Sequence, residues 1–153
     1  MKAVIRALCI SEKRGTKKNV IQEVELIKDF GLKNDAHAGK WHRQVSILSY
    51  EQVEAFRQRG VQVENGAFGE NILAEGIDFK KLPVGAVLIS GTVELEVTQI
   101  GKKCHSECEI FHQVGDCIMP REGIFAKVLH GGKLKIGDVL YVKTISGSST
   151  YAK

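Results

Sequence analysis

The sequence predicts a mostly β fold, a barrel-like sheet with two or three short helices on its periphery. Three observations carry that reading. Short β-rich stretches recur along the chain, each bounded by turn residues. Sixteen glycines against two prolines supply many turns without Pro-rich linkers. Val93, Leu95 and Val97 alternate with Glu94 and Glu96, which buries one face of a strand and wets the other.

Taken in order, residues 2–10 alternate in part and read as a first strand. A basic loop follows at 11–19. In the stretch 20–32, Val20, Val24, Leu26 and Leu32 read as strand residues, with a helix as the alternative. Residues 44–48 form a short strand. Ser49 and Gln52 have the spacing of a capping box, Val53 and Phe56 share a helical face, and Gly60 closes the helix. The Gly-rich turn Asn65-Gly-Ala-Phe-Gly-Glu-Asn71 feeds a strand at 72–74. Segments 85–89 and 92–100 are two strands joined at Ser90-Gly91, a hairpin signal. Residues 120–129 read as a helix with Pro120 in its first turn and Gly131 at its exit. Residues 136–142 read as a last strand entered through Gly137-Asp138. The organisation expected is one domain over 1–145 and a disordered polar tail at 146–153.

The chain has 153 residues, 43% of them hydrophobic, enough to bury a core and too many for a disordered chain. No apolar run approaches the roughly 20 residues of a spanning helix. The N-terminal segment has no small-residue cleavage site after an apolar core. The expected compartment is the cytoplasm, where Cys9, Cys104, Cys108 and Cys117 stay reduced. Residues 1–43 hold ten Lys or Arg against five Asp or Glu, whereas residues 44–153 hold twelve against thirteen. The anion-attracting charge therefore lies in the N-terminal third. Its cations are not interleaved with aromatics, so a small phosphorylated ligand fits better than nucleic acid.

Three constellations can carry chemistry. In the first, Asp35, His37 and Arg43 place an acceptor, a switchable imidazole and a phosphate-matching fork among small residues. A plain surface turn is the bland reading. The second is Gly69-Glu70-Asn71, for which a turn with a capped exit is the favoured reading on pattern alone. The third is Cys104, flanked by Lys102, Lys103 and His105 at the end of a strand. Positive neighbours favour the thiolate, the form that attacks and carries sulfur. A metal site from Cys104, Cys108, His112 and Cys117 and a set of ordinary reduced thiols stay open as alternatives. Cys9 sits on an apolar strand and reads as core.

In order along the chain stand GLKNDAHAG at 31–39, RQVSIL at 43–48, GAFGENI at 66–72 and LPVGAVL at 82–88. A cysteine just after a strand, REGIFAKVLHGG at 121–132 and KIGDVL at 135–140 complete the set. Together these segments resemble the MOSC family, named for the C-terminal domain of molybdenum cofactor sulfurase, as a stand-alone bacterial-type member. The resemblance implies a β-barrel-like fold and a role as a sulfur carrier or as a molybdenum-cofactor (molybdopterin) binding domain. It implies a pyridoxal-phosphate-dependent cysteine desulfurase or a molybdoenzyme as partner; from charge and hydropathy, neither nucleic acid nor a membrane is expected. Cys104 matches the family's cysteine. Asp35, His37, Gly39 and Arg43 match its Asp-x-His-x-Gly element and following Arg, and Gly69, Glu70 and Asn71 match its Gly-Glu-Asn. Lys103 stands where many members have proline, and Cys108 and Cys117 are additions. The resulting site set is Cys104 as the reactive thiol, with Asp35, His37, Arg43, Glu70, Asn71, Lys103 and Arg121 toward the cofactor. A Cys-dependent sulfurtransferase-like activity is the leading expectation. A non-catalytic delivery module and a zinc or iron–sulfur regulatory domain are the alternatives.

Overall fold

The computed structural model of the chain describes residues 1–13, 18–60, 62–101 and 123–143. Its strands are β1 (Lys2–Ile10), β2 (Asn19–Ile21), β3 (Glu23–Ile27), β4 (Gly31–Leu32), β5 (Val45–Ser49), β6 (Ile72–Glu75), β7 (Val87–Ser90), β8 (Val93–Ile100), β9 (Ile124–His130), β10 (Gly132–Lys135) and β11 (Val139–Val142). One helix, α1 (Tyr50–Gln58), and one 3-10 turn, Phe79–Lys81, accompany them. The fold is mostly β, as the sequence predicts. No helix among the described residues is long and apolar enough to cross a membrane.

Seven strands run in the order β11-β7-β8-β9-β5-β6-β1, and β1 pairs back onto β11. That closure removes the open edges that would invite aggregation. All neighbours in this ring are antiparallel except β5 and β6, which pair in parallel through Ile47 opposite Ile72. Parallel neighbours need a crossover, and α1 supplies it on the outside of the barrel. A smaller antiparallel sheet, β10-β3-β4, packs beside the barrel.

The interior is filled by residues such as Ile5, Leu8, Ile47, Ile72, Leu88, Leu95 and Leu140. A second apolar cluster lies under α1, where Val53 and Phe56 meet Leu48, Phe68, Leu73 and Phe125. The Phe56 and Phe68 rings meet edge to face at 5.1 Å. The register between β1 and β6 shifts between Ile5 and Ala7. This bulge changes the strand's phase: Ala3, Ile5 and Leu8 fill the barrel, while Ala7 and Cys9 join the second cluster. It explains why residues 2–10 alternate only in part.

The β7–β8 hairpin forms as expected, with Ser90 opposite Val93. The stretch 20–32 is strand, and the helical alternative falls. Three readings need correction. Residues 124–130 form a strand between β8 and β5, where a helix was expected. Ile124, Ala126 and Val128 face the barrel while Phe125 faces the second cluster. A strand buried on both faces shows no period of two. Residues 136–142 are not one strand, because Asp138 Oδ2 accepts from the Lys135 amide at 2.9 Å and turns the chain between β10 and β11. Ser49 stands at the N-cap of α1 without bonding it. Its hydroxyl donates to Ile77 O at 2.7 Å and accepts from the Phe79 amide at 3.2 Å, tying β5 to the loop beyond β6.

Candidate functional site

The loop from 33 to 44 joins β4 to β5 and is held tightly at its base. Gly31 has φ +131°, and a Cβ there would come within 2.8 Å of Gln44 O, so only glycine fits. The Ala36 amide donates to Ser11 O at 2.8 Å and the Gly39 amide to Phe30 O at 2.7 Å. These bonds set a shallow arch against the end of β1.

Inside the arch lies a buried polar cluster. The Asp35 carboxylate takes Lys18 Nζ at 2.7 Å and the Ser11 amide at 3.0 Å on Oδ1, and the His37 amide at 3.2 Å on Oδ2. Both side chains of the Lys18–Asp35 pair are 0% exposed. Lys18 Nζ further contacts Ser11 Oγ and His37 Nδ1, each at 3.1 Å. Burial lowers the ammonium's pKa, and Asp35 opposes that shift. Lys18 belongs to the basic loop of the anion-attracting N-terminal third, yet the structure turns it inward. Nothing in the sequence around Lys18 distinguishes it from its basic neighbours, so no local signal could have found it.

Glu70 and Asn71 stand behind this cluster and are 0% exposed. Glu70 accepts from the Gly66 amide at 2.7 Å and the Phe68 amide at 3.1 Å. Burial pushes its carboxyl up to about 7, against those amides and the charge of Lys18. A Cβ on Gly66 would lie 2.2 Å from Lys18 O, so this turn can pack on the Lys18 backbone only with glycine there. Asn71 Oδ1 accepts from the Ser46 amide at 2.9 Å, and its Nδ2 donates to Cys9 O at 3.0 Å, bridging β5 to β1. Both residues therefore shape the wall behind the loop. Cys9 is buried as expected, and burial pushes its thiol up, so it holds no thiolate.

The outer face of the loop is aromatic and cationic. The Trp41 indole lies parallel to the His37 ring, centroids 6.4 Å apart, and its Nε1 donates to His37 O at 2.8 Å. The Arg43 guanidinium sits 5.1 Å from the Trp41 ring centroid and 5.6 Å from that of Phe125. Arg43 Nε is buried and, among the described residues, is the one buried side-chain polar atom without a hydrogen-bond partner. His42 Nε2 meets Gln99 Oε1 at 2.7 Å, and Thr98 Oγ1 donates to His42 O. Gln99 Nε2 in turn donates to Gly101 O at 2.8 Å, and the Gly101 amide donates to Gly123 O at 2.7 Å. The loop is thus fastened to the place where the chain leaves β8 and re-enters β9. Cys104, Lys103 and Arg121, with Cys108, His112 and Cys117, fall between these points and lie outside the described residues. Among the described residues no group of three His, Cys, Asp or Glu could hold a metal ion. A cleft of about 770 Å³ opens beside Asp35, lined by Ser11, Lys13, Asn19 and Asn34 among others.

The MOSC-domain family pattern matches residues 34–141. The chain belongs to the MOSC family. MOSC domains are associated with the molybdenum cofactor, which gives the chain a broadly cofactor-related role. No curated protein matches it. The fold is similar to that of the YuaD protein from Bacillus subtilis, with a TM-score of 0.76, 20% identity, and 92% of this chain and 94% of that one covered. It is also similar to YiiM from Geobacillus stearothermophilus (TM-score 0.71, 18% identity, 99% and 80% covered). YiiM from Escherichia coli gives a TM-score of 0.69 at 16% identity, with 99% and 74% covered. The MOSC match holds Asp35, His37, Arg43, Glu70, Asn71 and Cys104, but begins after Lys18 and Ser11. Those two residues complete the polar cluster from outside the matched region.

Proposed function

We propose that this MOSC chain binds the molybdenum cofactor by its terminal phosphate and accepts sulfur on Cys104 for transfer. The observation that carries the reading is Arg43. A half-buried guanidinium with an unpartnered buried Nε fits an anionic oxygen supplied by a ligand, because an unmet buried donor is costly. Arg43 and His37 would hold the cofactor, with Lys103 and Arg121 as further cations. Asp35, Glu70 and Asn71 would support the wall. The cofactor, when bound, supplies a molybdenum centre for which a soft thiolate is a suitable neighbour.

Cys104 lies three residues past Gly101 in the sequence. Lys102, Lys103 and His105 favour its thiolate. The thiolate attacks the terminal sulfur of a desulfurase persulfide. A new S–S bond forms at Cys104, the donor's S–S bond breaks, and the donor cysteine leaves as thiolate, with no net oxidation. Incubation with a cysteine desulfurase and cysteine should add one sulfur to Cys104, read by peptide mass and removed by dithiothreitol. Cys104→Ser should take none, and buried Cys9 should stay unmodified. Failure of the wild type to gain sulfur while the desulfurase turns over removes the transfer step. A variant that still retains cofactor would then favour the delivery module.

Arg43→Ala should weaken binding of a pterin phosphate roughly 10- to 100-fold, the worth of one charge-assisted bond. Arg43→Lys should not restore it, since lysine has no planar fork. Wild-type affinity should fall with added salt. The single tryptophan of the chain, Trp41, lies against Arg43 and gives a fluorescence readout. Unchanged affinity in Arg43→Ala takes this residue out of the site.

A further inference from the structure

We infer that Lys18 is a positioning residue that locks His37 in its Nε2–H tautomer, so that this imidazole meets a ligand as a donor and never as a base. The protons around Lys18 Nζ fix the tautomer. Lys18 Nζ has three neighbours within hydrogen-bond distance: Asp35 Oδ1 at 2.7 Å, Ser11 Oγ at 3.1 Å and His37 Nδ1 at 3.1 Å. An ammonium carries three protons and no lone pair. The Ser11 hydroxyl has one proton, and it goes to Lys13 O at 3.0 Å, so Ser11 can only accept from Lys18. Asp35 accepts by its nature. The third ammonium proton then points at His37 Nδ1, which must offer its lone pair.

A neutral Lys18 amine could instead accept from an Nδ1–H. That state would leave the Asp35 carboxylate, 0% exposed, without a countercharge, which is the costlier arrangement. The ammonium form also faces Glu70 from behind. On the outer side, the His37 ring is stacked on Trp41, and Arg43 lies beyond that indole. The charged groups packed on His37 include Lys18 against the ring and Asp35 on its amide, with Arg43 beyond the Trp41 indole. Protonation of Nδ1 would set a second proton against the Lys18 ammonium. The Nδ1 lone pair is thereby occupied by Lys18.

The ligand part of this inference rests on the cofactor-binding reading, whereas the tautomer does not. A neutral Nε2–H selects an acceptor atom, such as a phosphate or carbonyl oxygen, and rejects a donor. It also leaves His37 unable to serve as the general base for Cys104.

The test is a long-range ¹H–¹⁵N correlation spectrum of the ligand-free, ¹⁵N-labelled protein, with His37 assigned by its loss in His37→Gln. The expected result is an unprotonated Nδ1 and a protonated Nε2. An Nδ1–H tautomer overturns the inference. Lys18→Met/Asp35→Leu, which replaces the pair without stranding a charge, should release the ring to a tautomer mixture. A locked ring in that variant removes Lys18 from the role; where the variant does not fold, the wild-type spectrum decides. Because no ligand is present, a wrong tautomer leaves the cofactor reading standing, and absent cofactor binding leaves the tautomer standing.

Discussion

Asp35→Ala is expected to destabilise the fold by about 3–5 kcal/mol, the cost of leaving a buried charge without its partner. The change strips Lys18 of its counterion, with both side chains of the pair wholly enclosed. It also frees the Ser11 and His37 amides, which donate to the same carboxylate. Lys18→Met should cost a similar amount, because Asp35 is then the stranded charge. Lys18→Met/Asp35→Leu should recover the part of the loss that comes from the stranded charge, since neither charge is then buried, while the Ser11 and His37 amides stay without their acceptor. Urea unfolding of the four proteins measures the coupling. A single variant within about 1 kcal/mol of the wild type would show that the pair does not organise the loop. The cycle also separates two roles for Asp35. If its importance were ligand contact alone, binding would fail in the variants while stability stayed level.

Glu70 should make stability fall by about 3 kcal/mol as the pH rises from 4.5 to about 7. Its carboxyl is raised in the folded state, so over that window the folded chain binds more protons than the unfolded one. The stabilisation is complete below pH 4.5 and is lost as the pH rises through about 7. Glu70→Gln should abolish this slope. The variant should be less stable than wild type at acid pH by about 1–3 kcal/mol, because an amide nitrogen cannot accept from the Gly66 or Phe68 N–H. Urea midpoints compared across that range give the answer. Parallel slopes in both proteins would place the pH dependence elsewhere.

Where one face of an element is wet, the sequence announces it. Val93, Leu95 and Val97 point into the barrel while Glu94 and Glu96 point out, and Glu96 meets Lys127 of β9 at 3.5 Å. Hence β8 and its hairpin were legible. Residues 124–130 were not, because Phe125 and its neighbours are buried on both sides and their apolar run fits either helix or strand. Ser49 misled for a related reason. Its hydroxyl answers to Ile77 and Phe79, about thirty residues away, and local spacing carries no trace of them.

The loop at 35–43 divides in the same way. Its residue types alone determined that an acceptor, an imidazole and a guanidinium would share one short stretch among small side chains. Composition and alternation likewise determined a mostly β chain. What each group faces was decided only by the tertiary structure. Closure of β1 against β6 and β11 brings Ser11 and Lys18 under the loop and encloses the Lys18–Asp35 pair. Arg43 is set between Trp41, two residues away, and Phe125, more than eighty residues along the chain. The physical reason is burial. A sequence names the charges, but their protonation, tautomer and availability depend on which are desolvated together, and long-range packing alone makes that choice.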